Sequence, residues 1–289
     1  MLRPEFEDLD GGSVAAEVVL LRDAADKAIM IVEGPSDCRL LDKFVDPGAC
    51  ELVIAHGREN LLSASDLIDG LDFQGVLSLI DKDYDDVAGV DRVGPNRVVT
   101  VERDMECYLF KSAAFEAVLC ELGSRSKIRA LAQVGTDFRK RIVDATTPLG
   151  LLRAHSARER LDLKFSSLDY SFIDRRSLAV DVKALAADVW RKSRRPGTPP
   201  DDWERLFDLS DVAPQERDAL CRGHDLTAVL AIALRSLLGT LSAREATRET
   251  VEAFLRASYS FDEFTGTDLF EALHDWENRN PPYRLFPNS

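Results

Sequence analysis

The sequence lacks several features that would assign the protein to a specialised class. No uninterrupted apolar run reaches the roughly 18 residues that a membrane-spanning helix needs. The acidic start, MLRPEFEDLDGG, lacks the basic and apolar segments of a secretory signal peptide. The five cysteines form no C-x-x-C pair, so the sequence predicts neither a disulfide scaffold nor a zinc site. We therefore expect a cytoplasmic protein that does not span a membrane and whose cysteines are reduced.

Two catalytic motifs are also missing. The chain has no G-x-x-x-x-G-K-[ST] segment, which in P-loop proteins cradles the phosphates of ATP. It has no G-x-S-x-G segment, the turn that presents the nucleophile of many serine hydrolases. The sequence therefore predicts neither an ATPase of the P-loop type nor a serine hydrolase of this type.

The charge of the chain is negative but unevenly distributed. The chain has 51 Asp and Glu residues against 37 Lys and Arg, a formal net charge of −14, which at first argues against nucleic acid as a partner. Residues 121–200, however, contain 17 basic and 9 acidic residues, a net charge of +8. This basic block indicates either a polyanionic partner or a complementary acidic surface, although a solvated helical face has the same composition.

Hydrophobic patterning predicts an α/β domain at residues 1–120 and a helical region at residues 121–289. Short apolar runs typical of buried strands lie at 28–34, 51–57, 75–83 and 97–103. Helical spacing at 36–45, with Ser36 as N-cap, and at 58–71 separates the first three, which predicts a mainly parallel sheet flanked by helices. Further helices are predicted at 105–123, 127–143, 176–193, 212–222, 225–240, 242–258 and 266–277.

Acidic residues follow two of the predicted strands. Glu33 ends the first apolar run, and Asp81 and Asp83 end the third. Ligands of doubly wound sheets lie beyond the carboxyl ends of the strands, and strand alternation would place Asp81 and Asp83 on one side. Asp37 follows Glu33 by four residues, and Glu106 lies just beyond the fourth strand. We therefore expect these carboxylates to form one site.

Clustered carboxylates raise one another's pKa unless a cation lies between them. Mg²⁺ or Mn²⁺ suits oxygen ligands of this kind and would support the hydrolysis of phosphodiester bonds. Separate turns and solvated loops are the simpler interpretation of each motif. A calcium-binding EF-hand is excluded because Asp86 and Arg92 occupy the sixth and twelfth positions of its loop.

The segments IVEGPSD (31–37) and LIDKD (79–83) resemble the TOPRIM fold of topoisomerases, primases and OLD-family nucleases. The G-P-S-D extension resembles the OLD-type branch. The segments RDMECYLF (103–110) and CRGHDLTAVL (221–230) extend the likeness to the TOPRIM effector subunits of PARIS-type anti-phage defence systems, although Cys107 replaces an Asn found in such proteins.

The resemblance implies a metal-dependent nuclease that cuts RNA, including tRNA, or DNA. Glu33, Asp81 and Asp83 would be catalytic, and the same residues with Asp37 and Glu106 would hold the metal. His56 and His224 are accessory candidates. The resemblance further implies a toxic effector of anti-phage defence that is regulated by a separate ABC- or OLD-type ATPase subunit. The helices after residue 200 are compatible with a homodimer.

Beside a nuclease site, the basic block would follow the phosphates of the substrate. The residues predicted to contact nucleic acid are Arg139, Lys140, Arg141, Arg158 and Arg160. The competing interpretation is a catalytically silent module that uses the same fold to dock its ATPase partner. The sequence leaves both interpretations open.

Overall fold

The computed structural model describes residues 9–24, 26–71, 73–201, 203–208 and 212–287. The chain divides into two compact units. Unit 1 comprises Met1–Lys82, Asp91–Val101 and Ser260–Ser289, and unit 2 comprises Asp83–Val90 and Glu102–Tyr259. The predicted domain boundary at residue 120 stays a prediction.

The helices of the described ranges are distributed over both units. They are α1 (Gly11–Ala24), α2 (Pro35–Leu41), α3 (Arg58–Asp69), α4 (Asp85–Ala88), α5 (Met105–Lys111), α6 (Ala114–Leu122), α7 (Arg125–Gln133), α8 (Phe138–Arg158), α9 (Val182–Lys192), α10 (Trp203–Leu206), α11 (Pro214–Leu220), α12 (Gly223–Arg235), α13 (Arg248–Ser258), α14 (Phe261–Thr265) and α15 (Asp268–Arg279). None of these helices is long and apolar enough to cross a membrane.

Unit 1 contains a four-stranded sheet in which all neighbouring strands are parallel. The strands are β1 (Ala28–Val32), β2 (Cys50–Ile54), β3 (Val76–Ile80) and β4 (Arg97–Val99), in the order β2-β1-β3-β4. In the register of the sheet, Ile31 lies opposite Val53 on β2 and Ser78 on β3. The predicted α/β class with a parallel sheet is confirmed.

Strands β1 and β3 are buried along their whole length, which explains why β1 is entirely apolar and β3 is apolar except for Ser78. Ile29 and Ile31 of β1 belong to a core cluster that also contains Val18 of α1 and Leu61 of α3. Elsewhere in unit 1, the chain beyond α2 packs against the C-terminal helices, where the rings of Phe44 and Phe264 stack 4.9 Å apart. Residues near both chain ends therefore contribute to the core of this unit.

The start of α2 differs from the prediction. Ser36 is not the N-cap, because the helix begins at Pro35 and Gly34 is the N-cap residue. Proline suits the first helical position since its missing N–H has no partner there in any helix. The carboxylate of Asp37 accepts a hydrogen bond from the backbone N–H of Gly34 at 2.9 Å. Asp37 therefore has a structural role at this turn.

Two long helices predicted in unit 2 are interrupted in the structure. The predicted helix 105–123 is divided into α5 and α6, because the backbone of Ser112 is extended and its hydroxyl donates to the carbonyl oxygen of Leu109 at 2.8 Å. The predicted helix 127–143 covers the end of α7 and the start of α8. Gly135, with a φ of 74°, lies between them, and Asp137 caps α8. Capping and turn residues therefore set these helix boundaries, which hydrophobic spacing alone did not predict.

Most residues of helix α12 in unit 2 are buried, and the helix packs against α5, α8 and α13. All five cysteines are free, and three of them, Cys50, Cys107 and Cys221, are buried. Burial raises the pKa of the Cys50 thiol to about 12 and that of Cys107 well above its usual value. These thiols are therefore protonated at neutral pH and are poor nucleophiles.

Candidate metal centres

Unit 1 presents two carboxylate residues at one edge of its sheet. Glu33 directly follows β1, and Asp81 directly follows β3. Because β1 and β3 are adjacent and parallel, with Ile31 opposite Ser78, the two residues leave the sheet at neighbouring positions. Both are half-buried. The fold thus brings to the same edge two acidic residues that are distant in sequence.

The same edge is the topological switch point of the sheet. From β1 the chain passes through α2 to β2 on one side, and from β2 it passes through α3 to β3 on the other side of β1. The strand order therefore reverses between β1 and β3, and open α/β sheets bind ligands at such a crevice. Glu33 and Asp81 flank it.

Two further polar residues of unit 1 lie near these strand ends. His56 follows β2 with an exposed side chain and a left-handed backbone, at a φ of 57°. Arg58 begins α3, and its Nη1 donates a hydrogen bond to the backbone carbonyl oxygen of Asp81 at 2.6 Å. Arg58 thus ties the start of α3 to the end of β3, a role that the sequence analysis did not assign.

Asp83 lies outside strand β3, which ends at Ile80. Its backbone is left-handed, with a φ of 46°, a conformation that Asp adopts more readily than most residues. Strand alternation therefore does not set the direction of its side chain. Asp83 belongs to unit 2, where its carboxylate is 3.3 Å from Nε of Arg222 and its N–H donates to the carbonyl oxygen of Arg103. Its role as a metal ligand stays a prediction.

Unit 2 contains a separate group with the chemistry of a metal site. Asp104, Glu106 and His224 each offer a ligand atom within 4.8 Å of the others, and no second group of three meets this condition among the described residues. Glu106 and His224 were sequence candidates, whereas Asp104 was not. The predicted ligands Glu33, Asp37, Asp81 and Asp83 are not members of this group.

Asp104 joins the N-termini of two helices. It is the N-cap of α5, where its side chain accepts from the N–H of Cys107, and it also accepts from the N–H of Gly223 at the start of α12. Both helix dipoles favour a negative charge here. A Cβ at position 223 would lie 2.3 Å from Oδ1 of Asp104, so only glycine fits this approach. Asp104 therefore has a structural function without any metal.

His224 lies between two buried glutamates. Its Nδ1 is 2.8 Å from Oε1 of Glu252, and its Nε2 is 3.7 Å from Oε2 of Glu106. Burial disfavours the imidazolium form, but the hydrogen bond with Glu252 and the negative charge of Glu106 outweigh burial and raise the pKa of His224 to about 9. The residue is therefore an imidazolium at neutral pH, and a metal ion would have to displace its proton.

Arginines compensate the buried carboxylates of this group. The carboxylates of Asp104, Glu106 and the neighbouring Glu252 each have a guanidinium nitrogen within salt-bridge distance. These acidic residues therefore do not require a metal ion for charge balance. The pairs are Arg222 Nε and Asp104 Oδ2 at 3.4 Å, Arg256 Nη1 and Glu106 Oε1 at 3.8 Å, and Arg248 Nε and Glu252 Oε1 at 3.6 Å. The donor set fits several divalent metals, but the surrounding positive charge opposes their binding.

Because His224 is paired with Glu252, we expect the stability of the fold to depend on pH. The folded protein raises the pKa of His224 from 6.5 to about 9, so its contribution is complete below pH 6.5 and is lost as the pH rises through 9. With a chelator present, we expect the free energy of unfolding to fall by about 1–3 kcal/mol over this interval. Urea denaturation at both ends of the interval measures it. Glu252→Gln should reduce the fall, and an equal fall in this variant would contradict the assignment.

Asp225, next to His224, is not a helix cap but part of a buried ion pair. Its side chain is 2% exposed and accepts from Nε and Nη2 of Arg153 at 2.7 and 3.0 Å. The hydroxyl of Tyr170 donates to the same carboxylate at 2.9 Å. This bidentate pair holds α8 against the first turn of α12.

The predicted nucleic-acid contacts of the basic block fall into three groups. Arg139 and Lys140 pair with the carboxylates of Glu116 and Asp144. Arg141 donates to the backbone carbonyl oxygen of Ser177 at 2.9 Å. The remaining two, Arg158 and Arg160, are exposed. Two of the five predicted side chains thus have carboxylate partners, and the nucleic-acid contacts of the block stay a prediction.

No protein-family model matches the chain, and no curated protein matches it. The resemblance to TOPRIM proteins therefore depends on the sequence motifs alone.

Proposed function

We propose that this protein is a metal-dependent nuclease whose active site lies at the carboxyl ends of strands β1 and β3 in unit 1. One observation supports the proposal above all others. Glu33 and Asp81 follow adjacent parallel strands and flank the point where the strand order reverses. An open α/β sheet places its ligand there, and carboxylate oxygens are suitable ligands for Mg²⁺ or Mn²⁺.

The chemistry of the two carboxylates fits a hard divalent cation. Glu33 and Asp81 are half-buried, and Oε2 of Glu33 is itself buried, so the charge of this carboxylate is partly desolvated. Such a cation, when bound, supplies Lewis-acid stabilisation of phosphoryl oxygens and lowers the pKa of water. Glu33 and Asp81 would hold the cation, and Glu33 would also accept or return a proton during hydrolysis. The arrangement suits cleavage of a phosphodiester bond.

The biological setting is a further part of the proposal. The chain lacks a P-loop, and its motifs resemble those of TOPRIM effectors that act beside an ATPase. We infer that it is a toxic effector of anti-phage defence, with RNA, including tRNA, or DNA as its substrate. A separate ATPase subunit would keep the nuclease inactive or allow it to act.

The first test measures cleavage by the purified chain. Labelled tRNA, single-stranded RNA, single-stranded DNA and duplex DNA are incubated with Mg²⁺, with Mn²⁺ and with a chelator. We expect at least one substrate to be cut only when a divalent cation is present. If the free chain is inert, the assay is repeated with any ATPase subunit whose gene adjoins that of this chain. Inactivity in both forms, or cleavage that persists in the chelator, would refute the proposal.

A catalytically silent docking module is the second candidate, and the arginines of unit 2 favour it. The carboxylates of Asp104, Glu106 and Glu252 are compensated by side chains of the same unit, so acidic clustering alone does not imply a metal. Calorimetric titration with Mn²⁺ separates the candidates. A nuclease should bind the ion, whereas the absence of any binding up to millimolar concentration would favour the docking module.

A further inference from the structure

A cavity of about 1040 Å³ in unit 2 is lined by an unusual set of arginines. Arg175 and Arg176 precede α9 and are exposed, and Arg235, the last residue of α12, is half-buried. All three side chains line the cavity. Arg235 also lines a second cavity of about 750 Å³ in the same unit. We call the first of these the arginine cavity.

None of these three guanidinium groups forms an ion pair with a carboxylate within the part of the chain that the structure describes. Arg235 donates from Nε and Nη2 to one neutral acceptor, the carbonyl oxygen of Ala246, at 2.8 and 2.6 Å. Burial and the positive charge of Arg175 lower the pKa of Arg235. Two like charges are thus held near each other at the wall of an open cavity.

The acidic residues of the arginine cavity are engaged in local capping. Asp174 accepts from the N–H of Ser177 at 2.8 Å and from its hydroxyl at 2.6 Å. Asp181 is the N-cap of α9 and accepts from the N–H groups of Lys183 and Ala184. Their hydrogen bonds stabilise a turn and a helix terminus. The carboxylate of Asp174 partly offsets the charge of Arg176. The three guanidinium groups nevertheless outnumber the two carboxylates that line the cavity.

We propose that the arginine cavity binds the phosphate groups of a nucleic-acid strand, an inference that rests on the proposed nuclease function. Guanidinium groups recognise phosphate through paired N–H donors, and a phosphate would relieve the repulsion between Arg175 and Arg235. Arg235 lies outside the basic block that the sequence singled out. The principal phosphate contacts would then lie in this cavity rather than at Arg139 and Lys140, which have carboxylate partners.

The test is a binding titration in a chelator, so that no strand is cut. Fluorescence anisotropy follows labelled single-stranded RNA and DNA at several salt concentrations. Relative to the parent chain, a variant with Arg175→Gln, Arg176→Gln and Arg235→Gln should bind at least about tenfold more weakly at physiological salt. The slope of log K against log salt should become shallower by about 2, since three phosphate contacts are lost.

A matched control removes three cations that have carboxylate partners. It combines Lys111→Gln, Lys164→Gln and Arg191→Gln, which gives the same net charge as the test variant. This control should bind almost as tightly as the parent chain. The double variant Arg175→Gln and Arg176→Gln changes exposed side chains only, and it should show an intermediate loss even if replacement of Arg235 impairs folding.

Equal weakening in the control and the test variants would overturn the inference, because only net charge would then matter. Unchanged affinity in the test variants would also overturn it and would leave an acidic protein surface as the partner of the cavity. The cleavage assay tests the proposed nuclease function, and the binding titration tests the arginine cavity, so either proposal can be refuted without the other. Arginine-dependent binding without any cleavage would uphold the cavity and refute the nuclease, whereas cleavage with arginine-independent binding would do the reverse.

Discussion

Combining Glu33→Gln with Asp81→Asn is expected to lower the metal-dependent cleavage rate by at least about 100-fold. Both substitutions keep the size of the side chain and a carbonyl oxygen but remove the negative charge that holds a divalent cation. Because the two residues follow adjacent strands, each single substitution should also impair metal binding. Single-turnover cleavage measures the rate, and calorimetric titration measures the affinity for Mn²⁺.

Glu17→Gln provides the matched control for this pair. Glu17 is an exposed acidic residue on α1 of the same unit, and its substitution removes a carboxylate far in sequence from both strand ends. We expect it to leave cleavage unchanged. Unfolding curves of all variants show whether the fold persists. If the double variant is folded and still cuts at the parent rate, the site assignment in unit 1 must be abandoned.

Asp225→Ala is expected to lower the free energy of unfolding by about 3–5 kcal/mol. Removing this carboxylate leaves the guanidinium of Arg153, whose side chain is 13% exposed, without its bidentate partner. The Tyr170 hydroxyl loses its acceptor as well. The cost is large because an unpaired charge and an unsatisfied hydroxyl then remain largely buried. Urea denaturation followed by circular dichroism measures the change.

Lys140→Ala provides the comparison for an exposed ion pair. Lys140 is 55% exposed and pairs with Asp144 at 2.8 Å, so its loss should cost at most about 1 kcal/mol. The combination Arg153→Met with Asp225→Leu removes both charges and should recover part of the stability lost in Asp225→Ala. If Asp225→Ala costs no more than Lys140→Ala, the buried pair does not have the importance inferred from its geometry.

The sheet of unit 1 was predictable because helices cover both of its faces. Complete burial makes β1 entirely apolar and β3 apolar except for Ser78, and the alternation of these strands with helical spacing implies parallel strands. The starts and ends of helices were less predictable. Gly34 rather than Ser36 caps α2, and Ser112 divides one predicted helix into two, because single hydrogen bonds decide these boundaries.

The candidate sites were predictable only where a residue stands next to a recognisable element. Glu33 and Asp81 adjoin apolar strands, so their common edge follows from the order of the strands. Asp104 and Glu252 gave no comparable signal. Asp104 meets the start of α12 from a distant part of the sequence, and Glu252 reaches His224 from α13. Such contacts depend on helix packing, which hydrophobic spacing does not specify.

Unit 1 is built from segments near both ends of the chain, and this affects the order in which the protein can fold during synthesis. The aromatic contact between Phe44 and Phe264 joins segments that leave the ribosome at very different times, and the N–H of Asp46 likewise donates to the carbonyl oxygen of Leu285. Glu33 and Asp81 are therefore synthesised early, whereas the core of unit 1 cannot be completed until residue 285 has been translated. A nascent chain interrupted before that point carries the proposed catalytic residues on an incomplete core.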